Sequence, residues 1–472
     1  MELRRCGLTA QVLRAGAAPL VVKIDWVRRC IASGRIEDRS RYILNIQSAS
    51  MSSLSATPPV TPVKRRRRKH TDEDDSSSLS DPASPTPSTK VPKTRKKRVA
   101  KDLSAVAAAS REDSDLPELD PIYLQKLSCY RPHPLICPNE DLAKILAQIR
   151  HLRDLDGNDT SVRAYSSAIA SIRSYPYKIK SGKEVKRLNG CGAKTLKLVN
   201  EFLETGAIES ETAKADTAEY EAIERLQEIW GVGGRTASSW VREKGWKSIE
   251  DVQREGMSSL TRHQEAGVRY YQDLKVKLNR EQVAAIAETV TRYAKDIHPD
   301  ALSLVGGSYR RGNTSHADVD MLLTVPNNKP GEHYTFLQEL IKRLQKANLI
   351  TEVLTITSNL RKGELLDLAL VVWSTVPNVS GVPLAHFRVD LICADWKVIG
   401  PAVVGWTGGT TFERDLRIRA KKLGYKFHSS GLLDLKTNKL VDCTADTMEA
   451  AERKVFEILQ LPYYDPELRN TG

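Results

Sequence analysis

Two aspartates, Asp318 and Asp320, stand two residues apart in the run "ADVDMLLTV". On a strand, that spacing sends both carboxylates to one face. Such a pair can hold a divalent cation, and Mg²⁺ in particular takes carboxylate oxygens together with waters and substrate phosphates. Two carboxylates leave the site unfinished. The third candidate is Asp390 in "AHFRVDLICAD", an acid between Val389 and Leu391 in a run that otherwise reads as a buried strand. An unpaired charge there would be costly. Upstream of the pair, Gly306, Gly307 and Ser308 form a small-residue turn at a strand end, followed by Arg310 and Arg311. Backbone N–H groups and guanidinium groups so placed suit a triphosphate. With two metals, this constellation would drive in-line phosphoryl transfer.

Those side chains need a sheet to carry them. Beyond Ala301 come short β-branched runs, Leu302 to Val305, Val319 to Val325, Leu368 to Trp373 and Phe387 to Cys393, interrupted by a helical stretch from Tyr334 to Lys346. The preceding region is helical in period, as in "NEDLAKILAQIRHLRDL", where Leu142, Ile145, Leu146, Ile149 and Leu152 share a face. The change of period near His298 marks a domain boundary.

Two stretches of the helical region share one plan. "RLNGCGAKTLKLVNEFLETG" (187–206) and "LQEIWGVGGRTASSWVREKGW" (226–246) each run from an apolar helix end through a G-x-G turn into a helix. Glycine lets the backbone approach closely, and the N–H groups that open the second helix face an anion such as a phosphate. Paired in tandem, the turns resemble helix-hairpin-helix motifs, which grip a DNA backbone without reading sequence. Gly190, Gly192 and Lys194 are the candidates in the first turn, and Gly231, Gly233 and Arg235 in the second.

Composition adds limits. The chain has 472 residues and a formal charge of +13, and the segment from Thr61 to Lys101 alone holds thirteen Lys/Arg against five Asp/Glu. From about Asn45 to Glu118 the sequence is Ser/Pro/Thr-rich, a composition that cannot bury enough apolar area to order itself. Its basic clusters, Lys64 to Lys69 and "KVPKTRKKR", suit nuclear import or nonspecific nucleic-acid tethering. The seven cysteines form no CxxC pair and have no histidines at zinc-finger spacing, so a reduced compartment fits. No stretch approaches the roughly 20 apolar residues that span a bilayer. Ahead of the linker, "PLVVKIDWVRRCIASGRIEDRSRYIL" resembles the C-terminal half of a BRCT domain, a module that docks partner proteins or phosphopeptides.

The segments GGSYRRG, DVD and RVD, with two hairpin turns before them and "GWTGGTTFERDLR" after, resemble the family X DNA polymerases, the group of polymerases beta, lambda, mu and terminal transferase. The resemblance runs from about Tyr123 to the C-terminal "YYDPELRN". It implies a multidomain fold: all-α DNA-binding domains with tandem helix-hairpin-helix motifs, an α+β nucleotidyltransferase palm with a mixed sheet, and a small α/β thumb. The expected boundaries are 1–45 for a partial BRCT-like segment, 46–118 for a disordered basic linker, 119–210 for a lyase-like helical domain, 211–299 for a second helical domain, 300–400 for the palm and 401–472 for a nucleotide-selecting thumb. It also implies two Mg²⁺ or Mn²⁺ ions on Asp318, Asp320 and Asp390, with Asp390 activating the primer 3′-hydroxyl. Gly307, Ser308, Arg311, Gly405, Trp406, Thr407 and Gly408 would hold the incoming nucleotide, Arg414 and Arg417 would contact DNA, and Arg388 would contact the primer strand of the DNA or the catalytic Asp390. A monovalent cation at the hairpin turns is a further candidate. The expected partners are gapped or broken duplex DNA, dNTPs and rNTPs, and repair or end-joining proteins through the BRCT-like segment, with the enzyme acting as a nuclear monomer off any membrane.

Three departures from the family pattern sharpen this reading. Where members that bar ribonucleotides carry Tyr-Phe, this chain has Gly405 and Trp406, which predicts weak discrimination against the 2′-hydroxyl. The family's Schiff-base lysine position falls on Leu198 and its auxiliary lysine position on Ser161, so deoxyribose-phosphate lyase chemistry would rest on Lys194 or Lys197. The stretch "TSNLRKGELLDLALVV" leaves little room for the insertion that polymerase mu and terminal transferase carry there, favouring templated gap filling. A template-independent nucleotidyltransferase and a non-catalytic DNA-end scaffold are the alternatives.

Overall fold

The computed structural model describes residues 116–213, 217–326, 331–357, 365–374 and 386–471, all within one compact unit. The BRCT-like segment and all but the last three residues of the linker lie outside the described residues, as do residues 358–364 of the short connection discussed above. No helix among the described residues is long and apolar enough to cross a membrane.

The helical half is built on one shared helix. Helix α1, Glu140–Leu155, buries Leu142, Leu146 and Ile149 against Tyr165, Ile169 and Ile172 of α2, Asp159–Ser174, and Leu198 and Val199 of α3, Ala193–Thr205. Its last turn points elsewhere. Leu152 and Leu155 join the second core, with Ile223 and Leu226 of α4, Ala218–Gln227, and Ala237, Trp240 and Val241 of α5, Gly234–Lys244. One rigid rod therefore sits in both cores and sets the spacing of the two hairpins, α2–α3 side and α4–α5. Helix α6, Arg262–Arg269, packs against the tip of the second hairpin.

The sheet half begins with α7, Arg280–Ile297. Strands β1, Leu302–Val305, β2, Asp318–Thr324, β3, Ile350–Ile356, β4, Leu366–Trp373, and β5, Phe387–Ala394, form one mixed sheet in the order β1-β2-β5-β4-β3. Only β2 and β5 run parallel. Alternation assigns the faces: Val319, Met321, Leu323, Val389, Leu391 and Cys393 point into a core covered by α7 and by α8, Glu332–Lys346. Asp318, Asp320, Leu322, Asp390 and Ile392 occupy the other face. There Leu322 and Ile392 pack against Ala402 and Val403 of α9, Ile399–Thr407.

The C-terminal layer comprises α9, α10, Thr410–Lys422, a three-stranded antiparallel sheet of β6, Tyr425–His428, β7, Gly431–Asp434, and β8, Lys439–Leu440, and α11, Met448–Ile458. Its core also takes in Leu127 and Cys129 from ahead of α1. His133 N donates to Leu468 O at 2.6 Å and Asn470 N to His133 O at 3.1 Å, so the segment before α1 is stitched to the C-terminal tail. The helical half and the C-terminal layer thus meet across the mouth of the molecule.

A buried charge cluster holds this layer to the glycine turn. Glu452 on α11 is fully buried and receives two parallel hydrogen bonds from Arg310, both 2.8 Å, one from Arg469 at 2.6 Å and one from Tyr463 at 3.1 Å. Those donors hold its carboxyl below the ordinary glutamate range, against the opposing effect of burial. Removing one partner of such a cluster strands the others. Glu452→Ala is expected to cost about 3–5 kcal/mol in urea unfolding. A loss under about 1 kcal/mol would show that the cluster contributes little beyond its neighbours' packing.

Candidate active site

Strand register assembles the carboxylates. In the β2–β5 pair, Asp320 lies opposite Asp390, and Asp318 opposite Arg388. Carboxylate oxygens of Asp318, Asp320 and Asp390 all lie within 4.8 Å of one another. Burial first, and the Asp390 charge second, push Asp320 up to about 7, with Arg311 opposing. Burial likewise pushes Asp390 up to about 6, with Arg388 opposing. The Arg388 guanidinium bridges the cluster: it bonds to Asp318, and its Nε lies 3.2 Å from Asp390 Oδ1. That contact is poorly aligned as a hydrogen bond, so Asp390 Oδ1 is held chiefly by the charge of Arg388. A crowded set of hard, under-satisfied oxygens fits a divalent cation.

Beside the cluster lies a cavity of about 540 Å³, lined by Gly307, Arg311, Asp320, Gly405, Trp406, Gly408, Glu413 and Arg417 among others. The glycine turn is shaped by close approach. A Cβ on Gly307, whose φ is +53°, would sit 2.0 Å from Asp320 Oδ2, so only glycine lets the turn abut the carboxylate. Arg311 donates to Thr407 O at 2.7 Å and fronts the cavity. Arg310, expected beside it, is instead turned into the Glu452 cluster, because neighbours in a helical turn diverge by about 100°. Ser308 bonds to the His316 ring at 2.8 Å and Thr407 Oγ1 to Val403 O at 2.6 Å, and neither lines the cavity.

Four family models match successive parts of the chain: a helix-hairpin-helix domain over 137–208, the fingers domain of DNA polymerase lambda over 224–275, the DNA polymerase beta palm over 277–394 and the DNA polymerase beta thumb over 402–470. The type-X family protein pol4 of Schizosaccharomyces pombe is 32% identical over 356 residues, 74% of this chain and 68% of that one. The chain belongs to the family X DNA polymerases. DNA polymerase lambda of Arabidopsis thaliana is 27% identical over 350 residues, 73% of this chain and 64% of its own length. The human DNA-directed DNA/RNA polymerase mu is 28% identical over 372 residues, 75% and 73% of the two chains.

In this polymerase both hairpin turns have open outer surfaces. Gly190 and Gly231 take φ of +90° and +84°, which favour glycine, while Gly192 and Gly233 are extended caps of α3 and α5 with nothing within 4 Å of a built Cβ. Arg235 pairs with Asp159 at 2.5 Å on the surface. Lys194 pairs with Glu211 at 2.8 Å, and that hydrogen bond raises its pKa. Lys197 is exposed, and Leu198 is in the core. Of the helix α10 arginines, Arg417 bonds to Glu413 at the cavity, whereas Arg414 reaches Ser167 of α2 at 3.0 Å. Contacts beyond the reach of motif reading also line the cavity: Leu135 and Arg173 from the helical half, Thr410, and Asn470, whose Nδ2 donates to Arg311 O at 3.1 Å.

Gly405 has a packing reason for its identity. A Cβ there would meet Ser429 Cβ, in the β6–β7 turn, at 2.9 Å. Gly405→Ala is therefore expected to destabilise the polymerase by about 1–3 kcal/mol. Ser429→Gly in the same chain should recover most of it in a denaturant-melt double-mutant cycle, and strict additivity would refute the contact. Lys194, held as an ammonium by Glu211, is a poor Schiff-base nucleophile. Borohydride reduction on an abasic 5′-phosphate should leave no adduct on Lys194, and a trapped peptide containing it would reverse that assignment.

Proposed function

We propose that this family X DNA polymerase extends a primer 3′-hydroxyl in short gaps or at broken ends, copying a template, with weak selection against ribonucleotides. The observation that carries the reading is the register-paired trio Asp318, Asp320 and Asp390 beside a cavity walled by Arg311, Gly405 and Trp406. Bound to the trio, two Mg²⁺ or Mn²⁺ ions supply Lewis acidity, lowering the pKa of the attacking hydroxyl and offsetting charge on the phosphoryl oxygens. Asp390, buried and ion-paired with Arg388, takes the hydroxyl proton. Arg311 and the Gly307 backbone orient the triphosphate, Trp406 packs beside the sugar, and Arg388 faces the primer strand. The two hairpins hold phosphates on either side of the gap, with a monovalent cation at their turns. This makes affinity salt-sensitive.

Sugar tolerance follows from the lack of a side chain at Gly405, and a relative whose own name couples DNA and RNA synthesis carries the same implication. The short span from Ile356 to Leu366, between β3 and β4, favours templated synthesis over tailing. The basic clusters of the linker fit a nuclear address, and base excision repair or end joining fits the gap-spanning arrangement of the hairpins.

The test is single-nucleotide insertion on a one-nucleotide gap bearing a 5′-phosphate. Without a built clash, a pocket rejects an added hydroxyl by only about 10²-fold at most, so the dNTP-to-rNTP efficiency ratio should stay below that figure. Asp390→Asn should lower extension by about 10²–10⁴-fold while DNA binding persists. A ratio far above that ceiling would sink the sugar reading, and undiminished extension by Asp390→Asn would sink the site.

A further inference from the structure

Arg388 has a third neighbour. Its guanidinium carbon lies 5.9 Å from the centroid of the Trp230 ring, while the same group bridges Asp318 and Asp390. Trp230 immediately precedes Gly231, so it is the tip of the second hairpin that touches the carboxylate-bridging arginine. That tip is not free to drift. A Cβ on Gly267 of α6 would lie 2.1 Å from Trp230 O, Gln264 Nε2 donates to Gly231 O at 3.3 Å, and the His263 ring packs 5.1 Å from the indole. Helix α6 is in turn pinned to β3, through Arg262 to Val353 O at 2.7 Å, His263 to Thr355 at 2.5 Å and Arg269 to Glu352 at 2.9 Å. The indole is thus held in one place relative to the sheet.

We propose that Trp230 is a positioning residue: its ring supports the Arg388 guanidinium and sets how tightly that cation covers Asp318 and Asp390. The proposal rests on reading the three carboxylates as the divalent-ion site. Arg388 and a divalent ion compete for the same oxygens. An aromatic face that shares the guanidinium weakens its hold on the carboxylates, and a cation–π contact of this kind shifts such a balance by about fivefold. The hairpin that grips DNA and the cluster that performs the chemistry are therefore joined through one side chain.

The experiment is Mn²⁺ binding to the full chain, followed by the electron paramagnetic resonance of free Mn²⁺, with kcat and the Kd for gapped DNA measured alongside. Trp230→Phe keeps a ring face, Trp230→Leu keeps apolar bulk without one, and Trp230→Ala removes both. Mn²⁺ binding should weaken by about fivefold in the Leu and Ala variants and stay near wild type in the Phe variant. The kcat should fall in the same order and the DNA Kd hold steady. Wild-type affinity in Trp230→Leu would overturn the proposal, showing that bulk alone suffices, as would a loss in Trp230→Phe equal to that in Trp230→Ala. The Leu and Phe pair decides the matter even if the Ala variant does not fold. Wild-type Mn²⁺ binding that Asp390→Asn abolishes establishes the underlying site. Absence of binding in the wild type would overturn that reading and the ring's role with it.

Discussion

The parallel pairing of β2 with β5 is the constraint on which the site depends. Because side chains alternate along a strand, a slip of one residue would send Asp390 into the core and Val389 or Leu391 onto the open face. The apolar half of each strand prevents this. Val319, Met321, Leu323, Val389, Leu391 and Cys393 are all fully or almost fully buried under α7 and α8, and a one-residue slip of β5 would expose its three. The hydrophobic face therefore excludes the one-residue slip, and the observed register, Asp320 opposite Asp390, makes the carboxylate cluster. The cost appears in the acids themselves: burial and then the Asp390 charge raise Asp320, and burial raises Asp390, with Arg311 and Arg388 respectively as partial offsets. A site held together against its own charge is ready for a cation.

The second constraint is the Glu452 cluster, which sends one of two neighbouring arginines into the interior and leaves the other at the cavity. Arg310 goes inward to Glu452, where Arg469 from the tail also lands. That anchorage fixes the short helical turn at Gly307–Arg310, and the fixed turn presents Arg311 to the cavity. The glycine turn, α11 and the C-terminal tail thus behave as one block, although about 160 residues separate Arg310 from Arg469. The cavity wall inherits its precision from a cluster that never touches it.

What sequence reading captured is what local pattern determines. The Asp-x-Asp spacing, the buried acid at Asp390, both G-x-G turns and the face of α1 were all legible, because strand period, burial cost and backbone conformation act within a few residues. Arg310 was misread as a phosphate ligand alongside Arg311, since adjacency in sequence does not specify which side of a helical turn a residue takes. Arg173, Leu135 and Asn470 carried no signal. Leu135 and Arg173 reach the cavity wall where the helical half meets the C-terminal layer, and Asn470 reaches it from the C-terminal tail through Arg311, contacts made far from any motif. The sharing of α1 between two cores was hidden for the same reason: Leu152 and Leu155 continue one periodic face, and only tertiary structure shows that the partner changes along it.

Gly405 shows how packing dictates the shape of a cavity wall. Read as sequence, glycine at this position is the removal of a barrier to the 2′-hydroxyl. In the fold it is also a contact, because Ser429 occupies the space into which a side chain would grow. A larger residue at 405 would have to displace the β6–β7 turn, which is itself held by the antiparallel pairing of Phe427 with Leu432 and of His428 with Gly431. The absence of a side chain at 405 is therefore enforced by the packing of the C-terminal layer. It follows that a bulkier residue at 405 cannot be accommodated without moving Ser429, so selection acting on the stability of this layer alone would keep the cavity wall open there.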